Sequence, residues 1–294
     1  MAIKKFSIIS MVSYLLISLL AIFCLLPFIL VVSGSLSTEA DIVKYGYSLW
    51  PKRIDFTAYR LLLLDINRIL NAYGITIFVT VVGTFLNLLI NAMAGYCLAR
   101  KDLKYRKVLS VYTIITLLFS GGMVPWYIVC VNYLNLKDTL GALIIPYLAY
   151  AWYILLLRNF FQSIPGEMYE SAKIDGAGEF TTFFKVMLPL AKPALATVGM
   201  FAALGYWNDW WLGLMLIDDV TKQPLQLLLR TIVSNVIFLR SSANAPIMQQ
   251  ITSQIPAEGV KMAVTILTIG PIVFLYPFVQ KYFVKGIMVG AIKG

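Results

Sequence analysis

The sequence predicts an all-α membrane protein, a bundle of six transmembrane helices carrying one ordered cytoplasmic loop. Apolar residues make up 60% of its 294 positions and charged residues only 13%, against about 25% charged in soluble domains. Long, nearly charge-free runs recur at the length of about 20 residues that a helix needs to cross a hydrocarbon core. Basic residues fall between those runs instead of gathering on one segment. Lipid offers no partner to a free backbone N–H or C=O, so such runs must be helical.

The same composition narrows function. A net charge of +10 without a basic segment argues against nucleic-acid binding. No histidine is present, which removes the commonest general base and the usual zinc ligands. Cys24, Cys97 and Cys130 sit singly inside apolar runs and read as small buried hydrophobes. No Gly-x-x-x-x-Gly-Lys-Ser/Thr segment exists to cradle a phosphate. If this protein uses ATP, another chain binds it.

The first run, Ile8 to Val32, follows Lys4 and Lys5. It is longer than the roughly 7–15 apolar residues of a signal peptide, so an uncleaved first span is expected. Gly34 to Leu70 is mixed and polar, with Trp50-Pro51 interrupting it, and reads as a loop outside the bilayer. The second run, Ala72 to Leu98, admits Gly74, Gly83 and Gly95, small residues that let membrane helices approach closely. It ends at Arg100, Lys101, Lys104, Arg106 and Lys107, and a short basic loop of this kind stays in the cytoplasm.

Topology follows from that loop. The third run, Val108 to Cys130, leads out, with Gly121, Gly122 and Pro125 expected to distort it; Asn132 to Thr139 is external, and Leu140 to Phe161 returns. Gln162 to Lys192 is then cytoplasmic, Ala194 to Ile217 forms the fifth span, and Asp218 to Gly259 lies outside. A sixth span, Val260 to Val279, brings the tail with Lys281, Lys285 and Lys293 inside. Both termini are thus expected in the cytoplasm, and most of the 24 Lys and Arg lie on inner segments. No internal repeat is visible, so residues 1–294 are expected to form one bundle domain.

Residues 162–193 have their own pattern. Pro165-Gly166-Glu167 opens a helix, with Glu167 and Glu170 complementing its positive start and Gly176 ending it. A second piece begins near Glu179 and sets Phe180, Phe183, Phe184 and Met187 at helical spacing before Pro189 and Pro193. Two short amphipathic helices joined at a glycine need an apolar surface. A docking partner fits this pattern about as well as packing on the protein's own bundle or on lipid headgroups.

The residues carry a further likeness. Glu170-Ser171-Ala172, Gly176 four positions on, then Val186, Leu188 and Pro189 resemble the EAA loop of binding-protein-dependent ABC importers, with Ser171 replacing the usual Ala and Val186 replacing Ile. Lys173-Ile174-Asp175-Gly176-Ala177, the Pro189-Leu190-Ala191-Lys192-Pro193 exit, Trp207-Asn208-Asp209 and the ending Tyr276-Pro277 to Gly294 look like the maltose-type carbohydrate permease family. Gly121-Gly122-Met123-Val124-Pro125 is similar to a branch associated with complex oligosaccharides.

This resemblance implies a type I ABC importer permease that binds no cofactor itself. It implies a second related permease subunit, two cytoplasmic ATPases that hold ATP and Mg, and an extracytoplasmic sugar-binding protein. In that family the loop forms a coupling helix seated in an ATPase cleft. The residues carried over to that role are Glu170, Ser171, Ala172, Asp175, Gly176, Ala177, Leu188 and Pro189. The tail Lys285 to Gly294 resembles family endings that reach the ATPase, while its charge alone suits anionic lipid.

Trp207, Asn208 and Asp209 fall in the fifth run. An acid there is costly unless it meets water, a cavity or a partner, which makes Asp209 a candidate on the translocation path. Aromatic and amide side chains suit sugar faces and hydroxyls, and a Trp cluster equally suits an interfacial belt. The outer segment is long enough to reach a docked binding protein, to which Gln249, Gln250, Ser253 and Gln254 could hydrogen-bond; the other reading is that it only covers the bundle. The alternatives are an ion-coupled secondary transporter, which would want several buried ionisable groups, and a membrane enzyme. Asp218-Asp219, the adjacent acidic pair, reads as solvated loop and gives no support to an enzyme.

Overall fold

The computed structural model describes residues 8–241 and 256–271. Its helices, in order, are α1 (Ile8–Ser35), α2 (Glu39–Tyr45), α3 (Thr57–Leu62), α4 (Ile66–Ala99), α5 (Arg106–Leu118), α6 (Met123–Ile128), α7 (Ala151–Ser163), α8 (Glu167–Ile174), α9 (Glu179–Thr181), α10 (Leu188–Leu190), α11 (Lys192–Trp207), α12 (Trp211–Leu216) and α13 (Leu225–Ser241). A further helix, α14, covers 257–271. The described residues fall into two compact units, one within Met1–Ile66 and Leu229–Ile272, the other within Asn67–Leu228.

In the first unit, α1 is apolar on every face and lies largely exposed from Met11 to Val32, with Ser33 and Ser35 buried at its end, as suits a helix surrounded by lipid. The stretch from residue 34 to 70, read from sequence as loop, is built. Thr38 caps α2, its hydroxyl accepting from the Asp41 N–H at 3.3 Å and donating to the Asp41 carboxylate at 2.8 Å. Arg53 closes the segment with a two-pronged grip on Asp41 at 2.9 and 3.0 Å, and Ser37 pairs with Ile54 in an antiparallel bridge. The Glu39 carboxylate accepts from the backbone N–H of Glu258 at 3.1 Å, and Tyr47 donates to the Glu258 carboxylate at 2.7 Å. These polar ties escape a hydropathy reading because they join residues far apart in the chain.

The second unit contains most of the bundle. Among the described residues, helix Met11–Ser35 of the first unit and helix Thr57–Ala99, which ends in the second, are each long and apolar enough to cross a membrane unbroken. Three further helix pairs qualify together but are bent at a break: Arg106–Leu118 with Met123–Tyr133 by 113°, Leu140–Tyr147 with Ala151–Ser163 by 50°, and Glu179–Leu190 with Lys192–Trp207 by 82°. The first bend sits at Gly121-Gly122, where Gly122 has φ +87°, a left-handed conformation that side chains disfavour. The third lies between Pro189 and Pro193, which interrupt the helical hydrogen bonding.

Two expectations need correcting. The stretch 218–259, read from sequence as loop, holds α13, a 17-residue apolar helix rooted by the buried Leu225, Leu227, Leu228 and Leu229. Its length falls short of a span, which hid it among polar neighbours. Of the three cysteines only Cys130 is buried, while Cys24 and Cys97 are exposed; apolar lipid accepts a thiol as readily as a protein core does. Gln249, Gln250, Ser253, Gln254, the end of the sixth run and the tail Lys285 to Gly294 lie outside the described residues.

Each break within the membrane frees backbone groups, and α4 answers the one in the fourth span. Asn87 donates its side-chain amide to the Tyr147 carbonyl at 2.7 Å. Asn91, one turn on, donates to the Leu148 carbonyl at 2.9 Å and accepts from the Tyr150 N–H at 2.9 Å. Both asparagines are buried, with exposures of 1% and 0%. Close approach depends on glycine: a Cβ on Gly95 would meet the backbone of α7 at 3.0 Å, and one on Gly83 would strike the Tyr206 ring at 2.8 Å.

Two predictions follow from this architecture. Asn91→Leu leaves the Leu148 carbonyl and the Tyr150 N–H without partners, at about 1–3 kcal/mol for each buried group, and is expected to lower the melting temperature of the detergent-purified protein. An unchanged melt would remove Asn91 from this role. Arg53, with help from Thr38, holds the Asp41 carboxyl down from 3.8 to about 2. A depressed carboxyl adds stability above its ordinary pKa and loses it as pH falls through the folded value. Fluorescence of the neighbouring Trp50 should therefore stay level from pH 5 to 3 in the wild type and change near pH 4 in Arg53→Ala.

Candidate functional site

The loop of residues 162–193 begins where Ile164 leaves α7 extended, at ψ 131°, ahead of Pro165, the conformation a following proline enforces. Gly166 caps α8, its carbonyl accepting from the N–H groups of Tyr169 and Glu170 at 3.0 Å. Glu167 and Glu170 occupy the first turn and Lys173 the last, the arrangement the helix dipole favours. At the far end the Ala177 N–H donates to the Ala172 carbonyl at 2.9 Å and the Gly176 N–H to the Lys173 carbonyl at 3.0 Å. This paired closure is the Schellman motif and demands a left-handed residue; Gly176, at φ +77°, supplies it.

The rear of the loop is fixed by apolar packing. Phe183, Met187 and Ala191 are buried with Ala92, Tyr96, Leu157, Phe161 and Val198. The Tyr96 ring lies 5.8 Å from that of Phe161 and 5.2 Å from that of Phe183, distances at which aromatic pairs attract beyond their area. A π-helical turn over Thr182–Met187 rotates this segment, so Phe183 and Met187 face inward while Phe180 and Phe184 stay exposed.

A charged cluster fixes the hinge between α8 and α9. The Glu179 carboxylate accepts from the Arg100 guanidinium at 2.5 Å, from the Tyr169 hydroxyl at 2.8 Å and from the Tyr96 hydroxyl at 3.2 Å, and Lys173 stands 3.9 Å away. Arg100 also grips Asp102, with Nε 2.8 Å from Oδ1, and this hydrogen bond holds the Asp102 carboxyl below its usual range. The same guanidinium lies 3.7 Å from the Tyr169 ring centroid, a cation–π contact. Single exposed ion pairs contribute about 0–1 kcal/mol, but here one arginine, one carboxylate and two tyrosines hold α8 to the end of α4 at once.

The front of α8 is open. Glu167, Glu170, Ser171 and Asp175 are exposed together with the apolar Met168 and Ile174, the last at 86%. Ala172 turns inward and is buried, Ala177 is half-buried, and downstream Leu188 is half-buried with Pro189 exposed. A cavity of about 520 Å³ between α8 and the ends of α4 and α7 is lined by Arg100, Lys101, Arg106, Gln162, Tyr169 and Glu170, among others.

Trp207, Asn208 and Asp209 stand apart from this loop, at the other end of the 16-residue α11, about 24 Å away at 1.5 Å per residue. Trp207 is buried beside Tyr73, with ring centroids 6.5 Å apart. Asn208 is exposed and donates back to the Leu204 carbonyl at 2.9 Å. Asp209 accepts from the Tyr147 hydroxyl at 3.1 Å and from the Leu212 N–H at 3.1 Å, so it satisfies the first turn of α12. Sequence reasoning missed Arg100, Tyr169 and Glu179. Arg100 was submerged in a basic cluster whose charge explained it, and Glu179 read only as a helix-opening acid.

Residues 91–289 match the family described as the binding-protein-dependent transport system inner membrane component. The chain belongs to this family. It is thus a membrane permease component of the type I ABC importer fold. It is 40% identical to protein LplC of Bacillus subtilis (strain 168), over 92% of this chain and 90% of that one. It is 38% identical to the polygalacturonan/rhamnogalacturonan transport system permease protein YtcP of the same organism, over 97% and 98%. A solved bacterial ABC transporter involved in importing the acidic polysaccharide alginate contains a chain of similar fold, with TM-score 0.77, 30% identity, and coverage of 96% of this permease and 99% of that chain.

The Glu179 cluster and the Gly176 closure make separate predictions. Glu179→Ala is expected to speed amide hydrogen exchange over residues 167–177 while leaving the Phe183 segment protected; unchanged exchange would deny the cluster its positioning role. Gly176→Ala forces a side chain into the left-handed region at about 1–2 kcal/mol, and is expected to fray the last turn of α8 in the same measurement.

Proposed function

We propose that this permease forms half of the translocation path of an ATP-driven carbohydrate importer, taking an oligosaccharide, and that residues 162–193 seat it on a separate ATPase. The observation carrying this reading is the two-faced build of α8. Its rear is tied to α4 by Arg100, Tyr169 and Glu179, while its front offers Met168 and Ile174 to whatever covers them. An exposed apolar patch ringed by charge suits protein docking. A helix held rigid from behind passes on a partner's movement as a rigid body.

In this reading Glu170, Ser171, Asp175 and Gly176 shape the docking face, Ala172 and Ala177 close its rear, and Leu188 and Pro189 set its return to the bundle. ATP and Mg sit on the partner ATPases, a second related permease completes the path, an extracytoplasmic binding protein delivers the sugar, and both termini lie in the cytoplasm. Trp207, Asn208 and Asp209 line or support the path. The polygalacturonan, rhamnogalacturonan and alginate named for its relatives support a saccharide cargo. An ion-coupled transporter is less favoured, because the Asp209 carboxylate is occupied with Tyr147 and the start of α12.

The test is ATP hydrolysis and uptake by the permease pair reconstituted with its ATPase and binding protein. Ile174→Asp changes only an exposed side chain and is expected to lower binding-protein-stimulated hydrolysis at least about tenfold, the loss of some 1.4 kcal/mol of docking energy. Glu170→Ala and Gly176→Asp should uncouple hydrolysis from uptake or release the ATPase. Normal assembly, hydrolysis and uptake in all three would reject the docking role.

A further inference from the structure

The segment from α1 to α3 keeps an apolar strip on its surface although its backbone is fixed. It folds back on the last turn of α1, where Ser33 and Ser35 are buried. There the Asp55 N–H donates to the Leu36 carbonyl at 2.8 Å and the Tyr59 hydroxyl to that of Ser35 at 2.9 Å, while a Cβ on Gly34 would lie 3.3 Å from the Tyr47 ring. The Arg53 grip on Asp41 closes the base of the turn that carries Trp50, and within it the Ser48 hydroxyl donates to the Trp50 carbonyl at 2.7 Å. Even so, Val43, Tyr45, Leu49 and Ile54 are exposed, and Trp50 is exposed at 83%. Charge in the strip is one-sided. Asp41 is taken by Arg53 and Thr38, Asp55 by the N–H and hydroxyl of Thr57, and Glu39 by the Glu258 N–H. Lys44 and Lys52 instead share one aromatic partner, their ammonium groups 5.0 and 3.2 Å from the Tyr45 ring centroid. Such a contact leaves an ammonium group with donors to spare for an anion.

The height of the strip follows from α1. Its 28 residues, at 1.5 Å each, give about 42 Å, the thickness of a bilayer with its headgroups. The fold-back onto its last turn therefore stands at headgroup level, where Trp and Tyr concentrate. From this placement we propose that residues 43–54 form an interfacial anchor seated in an anionic headgroup layer, with Trp50, Leu49 and Ile54 among the upper acyl carbons and Lys44 and Lys52 on lipid phosphates. The bilayer is the occupant for two reasons. The strip continues the exposed apolar surface that α1 turns to lipid, and its lysines beside an aromatic ring complement anionic phospholipid. The polar clamp beneath the strip orders the turn on folding, so little entropy is left to lose at the interface. The anchor sets the depth of the first unit in the membrane and does not depend on the cargo or on the ATPase.

The experiment reads Trp50 in the full-length permease, reconstituted with its second permease in nanodiscs, as the fluorescence lost on Trp50→Phe. Lipid carrying bromine near the headgroup end of its chains should quench this signal more than lipid brominated near the chain ends. Brominated phosphatidylglycerol, diluted into phosphatidylcholine, should quench it at about fivefold lower mole fraction than brominated phosphatidylcholine does, the effect of one basic residue at an anionic surface. Lys44→Gln combined with Lys52→Gln should remove that preference and keep the order of depths. Lys44, Trp50 and Lys52 are all exposed, so these changes leave the fold intact. Three results overturn the anchor. Quenching by aqueous iodide without quenching by bromine puts Trp50 in water. Protection from both quenchers gives the strip to a protein neighbour. Equal quenching of the wild type by the two brominated lipids removes the anionic headgroup from its lysines.

Discussion

The constraint from which the rest of the structure follows is the absence of water in the hydrocarbon core. A helix crossing it satisfies its own backbone, but a broken helix does not, and three of the candidate spans are broken by 50° to 113°. The fourth span survives its break because Asn87 and Asn91 present amides from the neighbouring helix at the positions of two missing partners. Spaced four residues apart, they share one face of α4. Glycines at 83 and 95 bring the neighbouring groups close enough for such contacts. Polar residues in the middle of an apolar run are therefore the reason the irregular fourth span can form.

In residues 162–193 a different balance holds. The loop cannot rely on hydrophobic depth alone, since Phe180, Phe184, Met168 and Ile174 all remain exposed. Its order comes from the Gly176 closure, from Phe183 and Met187 sunk among bundle aromatics, and from the Glu179 cluster. Each contribution is modest, but they act on the same short helix from its end, its base and its side. Binding a partner then costs little ordering of α8, because that entropy has already been lost on folding.

Much of this was legible from sequence, for reasons that differ by region. The apolar runs, the basic loop after Leu98, the Gly176 stop and the twin prolines all act locally, and local signals survive without coordinates. The bend at Gly121-Gly122 belongs to the same class. The built segment between α1 and α4 was not legible, because Asp41 with Arg53 and Glu39 with Glu258 meet only through the fold. Helix α13 was hidden by its shortness, and the pairing of Arg100 with Glu179 by the 79 positions between them. Asn87 and Asn91 were visible as letters, yet only the broken span opposite gives them a purpose.

Helix α4 has 34 residues, hence a length of about 50 Å, well beyond a bilayer core of about 30 Å. Arg100, the residue after its last turn, is in the grip of the loop that carries α8, and its asparagines hold the elbow of the fourth span. Such a member works as a pushrod. A stiff helix has few ways to absorb a displacement applied at its end, so a pull on α8 arrives at the elbow, and at the tyrosines beside it, as movement of comparable size.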